Sequence, residues 1–239
     1  MSKVSVNLDQ PTPYLESDSY FHRLKRKFTY RFALNAIQKR FSKFSPFSIL
    51  ELGTGSGFFL LAAHESFSKA CLSGIEFDDR LLEATQKRAP FAQTWQGNVE
   101  TFQIPDEKFD VIASFQVIEH LYKPESMVTQ VRYHLRAGGL FIFTTPNLTG
   151  IGAKVMGSKW HGYREDHVSM KGANQWVDLL IAHGFTPVSL GSTFFSGIPW
   201  LNRLPLGIFN WVLLLFFGYA PWMRGESFVG IFTLPEEGA

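Results

Sequence analysis

Three glycines at alternate positions stand in the stretch Glu51-Leu52-Gly53-Thr54-Gly55-Ser56-Gly57-Phe58. Glycines so spaced let the main chain turn sharply and let a ligand approach the backbone with no Cβ in the way. Dinucleotide-binding proteins have a glycine turn too, so the turn alone does not choose its ligand. Two neighbours separate the readings. Phe58 stands where the dinucleotide fingerprint has its last glycine. Glu51 precedes the turn, where a carboxylate repels a pyrophosphate and attracts a cation. Glu76 follows Gly57 by roughly twenty residues, the spacing from which a neighbouring strand tip reaches a ribose. That reach supports an adenosine ligand under either reading, and a solvated strand-end charge is the plain alternative.

A second set of residues is suited to moving protons. Glu119 and His120 follow the apolar run Phe109 to Phe115, and Tyr163, Asp166 and His167 close the stretch Trp160-His161-Gly162-Tyr163-Arg164-Glu165-Asp166-His167. Carboxylate and imidazole groups serve as general acids and bases, and long loops are where such residues concentrate. His120, His161 and His167 lack the paired or helical spacing of a zinc site, so no metal is expected. The single cysteine, Cys71, excludes an internal disulfide and a multi-cysteine metal centre.

These residues need elements to hold them. The chain has 239 residues, 45% hydrophobic and 18% charged, enough for one large core and too apolar for wholesale disorder. A net charge of +2 makes nucleic acid an unexpected partner. Strand patterns at 47–52, 70–77, 92–96, 109–115 and 139–144 alternate with helical patterns at 57–67, 79–88 and 124–135. A helix at 173–183 and strands at 185–191 and 228–234 follow a loop from 146 to 170. Regular alternation of this kind predicts an α/β fold, a parallel sheet with helices on both faces.

Residues 1–46 are expected to form an arm and a basic amphipathic helix. Phe21, Leu24, Phe28, Phe32, Ile37 and Phe41 recur among Arg23, Lys25, Arg26, Lys27, Arg31, Lys39 and Arg40. Residues 47–239 then form one domain, with an apolar insertion at about 194–225. Its run from Leu204 to Met223 carries no charge and is about as long as a membrane-spanning helix, about 20 residues. The strands before and after it should be neighbours in one sheet, which excludes a single crossing. A substrate cap, a monotopic membrane contact carrying Trp200, Trp211, Phe216, Phe217 and Trp222, and an oligomer interface all stay open. The N-terminus reads as no secretory signal, and a cytoplasmic location is expected, with membrane association open.

ELGTGSGF, IEFDDRLLEAT, GNVETFQIPDEKFDVIASFQVIEHL and HLRAGGLFIFTTPN, in this order, resemble the motifs of class I S-adenosylmethionine-dependent methyltransferases over residues 47–190. The resemblance implies a Rossmann-like seven-stranded sheet, mostly parallel, whose last strand is antiparallel. It implies S-adenosylmethionine as cofactor, with Gly53, Thr54, Gly55 and Gly57 around its methionine part and Glu51 below. Glu76 would take the ribose hydroxyls, Phe77 the adenine face, and Asn98 and Val99 the adenine edge. Phe115 and Gln116 would lie near the sulfonium. Gln116-Val117-Ile118-Glu119-His120 resembles the E-x-x-E-H of ubiquinone-biosynthesis O-methyltransferases, where the acids and His can hold a divalent metal. Gln116 replaces the first acid and weakens the case for Mg²⁺. The expected acceptor is a small apolar molecule, lipid-like or aromatic, methylated at oxygen, with His167 as base and Tyr163 or Arg164 in contact with it. Glu119 and His120 are read equally as catalytic groups or as an active-site wall. The rivals are a cofactor-binding or membrane-docking module without turnover, and an NAD-dependent oxidoreductase.

Overall fold

The strand and helix alternation folds into one seven-stranded sheet of order β3-β2-β1-β4-β5-β7-β6. The computed structural model describes residues 20–104, 107–193, 205, 207–209, 212 and 221–235. In chain order the elements are α1 (Tyr20–Arg40), β1 (Ser48–Leu52), α2 (Phe58–Ser66), β2 (Cys71–Glu76), α3 (Asp79–Arg88), β3 (Gln93–Gln96) and β4 (Phe109–Phe115). A 3₁₀ turn (Ile118–His120), α4 (Pro124–His134), β5 (Leu135–Pro146), α5 (Ile151–Met156), α6 (Ala173–Ala182), β6 (Thr186–Ser192) and β7 (Ser227–Thr233) complete them. β7 runs antiparallel to both β5 and β6, and the other pairings are parallel.

Both faces of the sheet are covered, which is why the strands read as continuous apolar runs. On one face Ile49, Val111, Ala113 and Ile142 meet Phe32 and Ile37 of α1 and Phe59 and Leu60 of α2. On the other, Leu50, Ile112, Phe141 and Phe143 meet Met127, Val128 and Val131 of α4 and Trp176 of α6. Burial of each of the larger aliphatic and phenyl side chains contributes about 1.5–3 kcal/mol. Strand order reverses between β1 and β4, and the crevice beyond the carboxyl ends at such a reversal is where open α/β sheets bind ligands.

Most elements begin and end within a residue or two of expectation; two regions differ. β5 starts at Leu135 rather than 139, because Leu135 pairs with Phe109 before a register shift lets Leu140 pair with Val111. The loop from 146 to 170 contains α5 and a short 3₁₀ turn at Gly157–Lys159. β6 and β7 are adjacent, from Thr186 opposite Thr233 to Ser192 opposite Phe228. Most of the insertion between them, including Trp200, Trp211, Phe216 and Phe217, lies outside the described residues, as does the arm before Tyr20. Among the described residues no helix is long and apolar enough to cross a membrane.

Candidate active site

The glycine turn leaves the tip of β1 with Gly53, Gly55 and Gly57 at φ 73°, 55° and 75°. These are left-handed conformations that side chains other than glycine resist. At Gly53 an added Cβ would also lie 2.5 Å from Cγ2 of Val117. Gly53→Val is therefore expected to lower stability by about 1–3 kcal/mol, read as a drop in thermal midpoint. A midpoint equal to the parent's would mean that the turn rearranges freely.

Glu76 closes the turn from the tip of β2. Its Oε2 accepts the Gly55 N–H at 2.7 Å, and its Oε1 accepts the N–H groups of Phe77 at 2.8 Å and Asp78 at 3.1 Å. Burial raises its pKa, while these donors pull it back. A carboxylate has about four lone-pair positions, so three bonds leave it room for a ligand hydroxyl. Glu51 is 2% exposed, and its Oε2 has no hydrogen-bond partner among the described residues. Burial first, and the nearby Glu76 second, hold its pKa well above the ordinary carboxylate value. A buried acid with an unused oxygen beside an open backbone turn fits a ligand that carries positive charge.

The other residues expected around this ligand divide. Phe77 is exposed beside Glu76, free to stack. Val99 is buried, and the Asn98 side chain accepts the Glu100 N–H at 2.8 Å. The Thr54 hydroxyl is turned to Thr85 of α3 at 3.0 Å, so its side chain braces the turn. Gln116 adopts φ 56° at the end of β4, with its side chain donating to the Thr144 hydroxyl at 3.1 Å. Phe115 packs between Tyr30 of α1 and Phe59 of α2, at ring distances of 4.9 and 4.7 Å. Tyr30 was not singled out from the sequence. Its place in an amphipathic helix says that it faces the core, not that it meets the tip of β4.

Val117 leads directly from this turn to a second cluster. Glu119, His120 and His167 each bring a ligand-type atom within 4.8 Å of the others, and the two imidazoles meet edge to face at 4.7 Å. Glu119 is 1% exposed with neither carboxyl oxygen partnered among the described residues. Burial pushes its pKa up to about 8, which favours the neutral acid. The His120 Nδ1 lies 3.0 Å from the Asp166 carbonyl, and burial lowers its pKa. Arg164 forks onto the Asp166 carboxylate with two contacts of 3.0 Å. The His167 Nδ1 lies 2.7 Å from the Gly162 carbonyl. A carbonyl only accepts, so that Nδ1 carries a proton, and in the neutral ring the lone pair lies on Nε2. The Ser169 N–H donates to the Glu119 carbonyl at 2.9 Å and ties the loop to the 3₁₀ turn.

His161 does not join the other two histidines; its ring faces Glu226 at 3.8 Å. Glu119 takes the third place instead, a grouping of the kind that holds a metal, where the sequence led to no metal being expected. Tyr163 is half-exposed on the same loop.

A sequence model described as a methyltransferase domain matches residues 20–190. A probable S-adenosylmethionine-dependent methyltransferase of Mycolicibacterium smegmatis is 31% identical over 41% of this chain and 38% of its own. A malonyl-[acyl-carrier protein] O-methyltransferase of Halalkalibacterium halodurans is 30% identical over 52% of this chain and 48% of its own. The match thus spans less than half the length of each relative. The methyltransferase solved with the Haloferax volcanii Trm112 activator superposes with a TM-score of 0.66 at 13% identity, covering 91% of this chain and 94% of that one. At that identity the likeness speaks for the fold alone.

Proposed function

This chain belongs to the class I S-adenosylmethionine-dependent methyltransferases, and from that premise we propose that it transfers the methyl group to an oxygen of a small, apolar acceptor. The observation that carries the reading is the contiguity of two half-sites. The glycine turn with Glu51 and Glu76 touches Val117, which leads straight into Glu119 and His120 with His167 beside them. Similarity to an O-methyltransferase supports oxygen as the atom methylated.

When bound, S-adenosylmethionine supplies an electrophilic methyl group on a sulfonium. Around it, Glu76 would accept from a ribose hydroxyl, Phe77 would cover the adenine, and Asn98 and Val99 would meet its edge. Gly53, Gly55 and Gly57, braced by Thr54, would leave the methionine part room against the backbone. Glu51 would face the positive charge from below, with Phe115 and Gln116 on the side of β4. On the acceptor side Tyr163 or Arg164 would touch the substrate, and the Nε2 of His167 would take the proton from the acceptor hydroxyl as its oxygen is methylated. Positioning and exclusion of water supply much of the acceleration for such a displacement. Glu119 and His120 form the wall that orients the acceptor. The proposed reaction uses no metal, since Gln116 stands where the resembling motif has an anionic ligand. Activity on dialysis against a chelator is expected to persist.

Calorimetric titration with S-adenosylhomocysteine, with NAD⁺ as control, tests the cofactor site, and micromolar binding of the first alone is expected. A screen of apolar phenols, quinols and lipids then tests the acceptor. Binding without turnover on any of them would favour a cofactor-binding module.

Glu51 adds a pH test. Its folded pKa is raised, so its contribution to stability is present below the usual carboxylate pKa and lost as pH rises toward the folded value. A cationic ligand favours the ionised form. Binding of S-adenosylmethionine is therefore expected to release more protons than binding of the uncharged-sulfur product, measured in buffers of different ionisation enthalpy. Glu51→Gln should abolish the difference; equal release in the parent protein would remove Glu51 from beside the charge.

A further inference from the structure

We infer that Glu226, distant in sequence from the acceptor loop, is a positioning residue for His167 and acts through Trp160. Glu226 immediately precedes β7 and is 1% exposed. Its Oε2 accepts the Trp160 indole N–H at 2.5 Å, while Oε1 has no partner among the described residues. Keeping a carboxylate out of water is costly unless something is gained from it, and the fold makes space for this one. A Cβ on Gly152 of α5 would collide with the carboxyl group.

Trp160 is itself 1% exposed, and it holds the start of the acceptor loop in place. Its carbonyl accepts the Tyr163 N–H at 3.0 Å, and its ring meets Tyr163 edge to face at 5.5 Å. Only a residue without a side chain fits beside the indole at Gly162, since a Cβ there would run into the ring. Gly162 is the residue whose carbonyl holds the Nδ1 proton of His167. The route from Glu226 thus runs through the indole and the Gly162 carbonyl to the tautomer of His167. Without the carboxylate the indole loses its anchor, the Gly162 carbonyl shifts, and His167 no longer keeps its lone pair on Nε2.

The inference rests on the reading of His167 as the base, and its test separates the two. Two-bond ¹H–¹⁵N spectra of the histidine rings report the tautomer without any acceptor. The parent protein is expected to show His167 protonated at Nδ1. Glu226→Ala should give a mixture of tautomers, with affinity for S-adenosylhomocysteine within about twofold and turnover down on the order of tenfold to a hundredfold. Glu226→Gln, whose amide oxygen still accepts the indole N–H, should restore the Nδ1 tautomer. Where Glu226→Ala does not fold, Trp160→Phe breaks the same link. An unchanged tautomer in Glu226→Ala, or in Trp160→Phe where Glu226→Ala does not fold, overturns the inference, as does a Gln variant that behaves like Ala. A lost tautomer with full methyl transfer upholds the positioning and overturns the base.

Discussion

Glu76→Ala is expected to weaken binding of S-adenosylhomocysteine by more than about tenfold in calorimetric titration. The carboxylate accepts three backbone N–H groups across the turn and its own strand end. Its removal strips the ribose of a charged acceptor and leaves those donors to be satisfied otherwise. A hydrogen bond to a charged group is worth about 1.5–3 kcal/mol, and each 1.4 kcal/mol is about a factor of ten, so one bond already meets the threshold. Glu76→Gln retains the acceptor oxygen without the charge and should fall between parent and Ala. Burial raises the pKa of Glu76, so affinity should fail on acidification at a higher pH than an exposed carboxylate would dictate. Unchanged affinity in the Ala variant would place the ribose elsewhere.

His167→Ala is expected to cut turnover by about 10²–10⁴-fold with affinity for S-adenosylhomocysteine unaltered. The size of the effect depends on the acceptor. A phenol or alcohol carries a proton of high pKa that must leave as its oxygen attacks, and in the proposed reaction His167 takes it. A carboxylic acid is already ionised near neutral pH and needs no base, so the same substitution would scarcely matter. Steady-state rates of parent and variant on a phenolic acceptor decide the point. Full activity there would show that His167 is not the base.

The glycine turn and the acids beside it were largely legible in the sequence because these parts are local. The glycine spacing, Glu51 at a strand end and Glu76 at the next strand tip all follow from short-range pattern. The helix after Glu76 announces itself through Asp78, whose side chain accepts the N–H groups of Arg80 and Leu81. The cluster beyond β4 was legible only as separate residues. Glu119, His120 and His167 could be named, but not the meeting of all three, nor the departure of His161 toward Glu226. Glu226 gives no local signal, because one acid before a strand looks like any solvated surface charge.

Amino-acid order alone determined the alternation of strands and helices, the backbone turn at Gly53 to Gly57 and the acid at the tip of β2. Those features are set by periodicity and turn chemistry within a few residues. Tertiary structure alone decided that Tyr30 meets Phe115, that Glu119 becomes a buried acid with a pKa of about 8, and that the Gly162 carbonyl assigns the tautomer of His167. Each of these depends on burial or on contact between segments far apart in the chain, and neither burial nor contact is written in the local pattern.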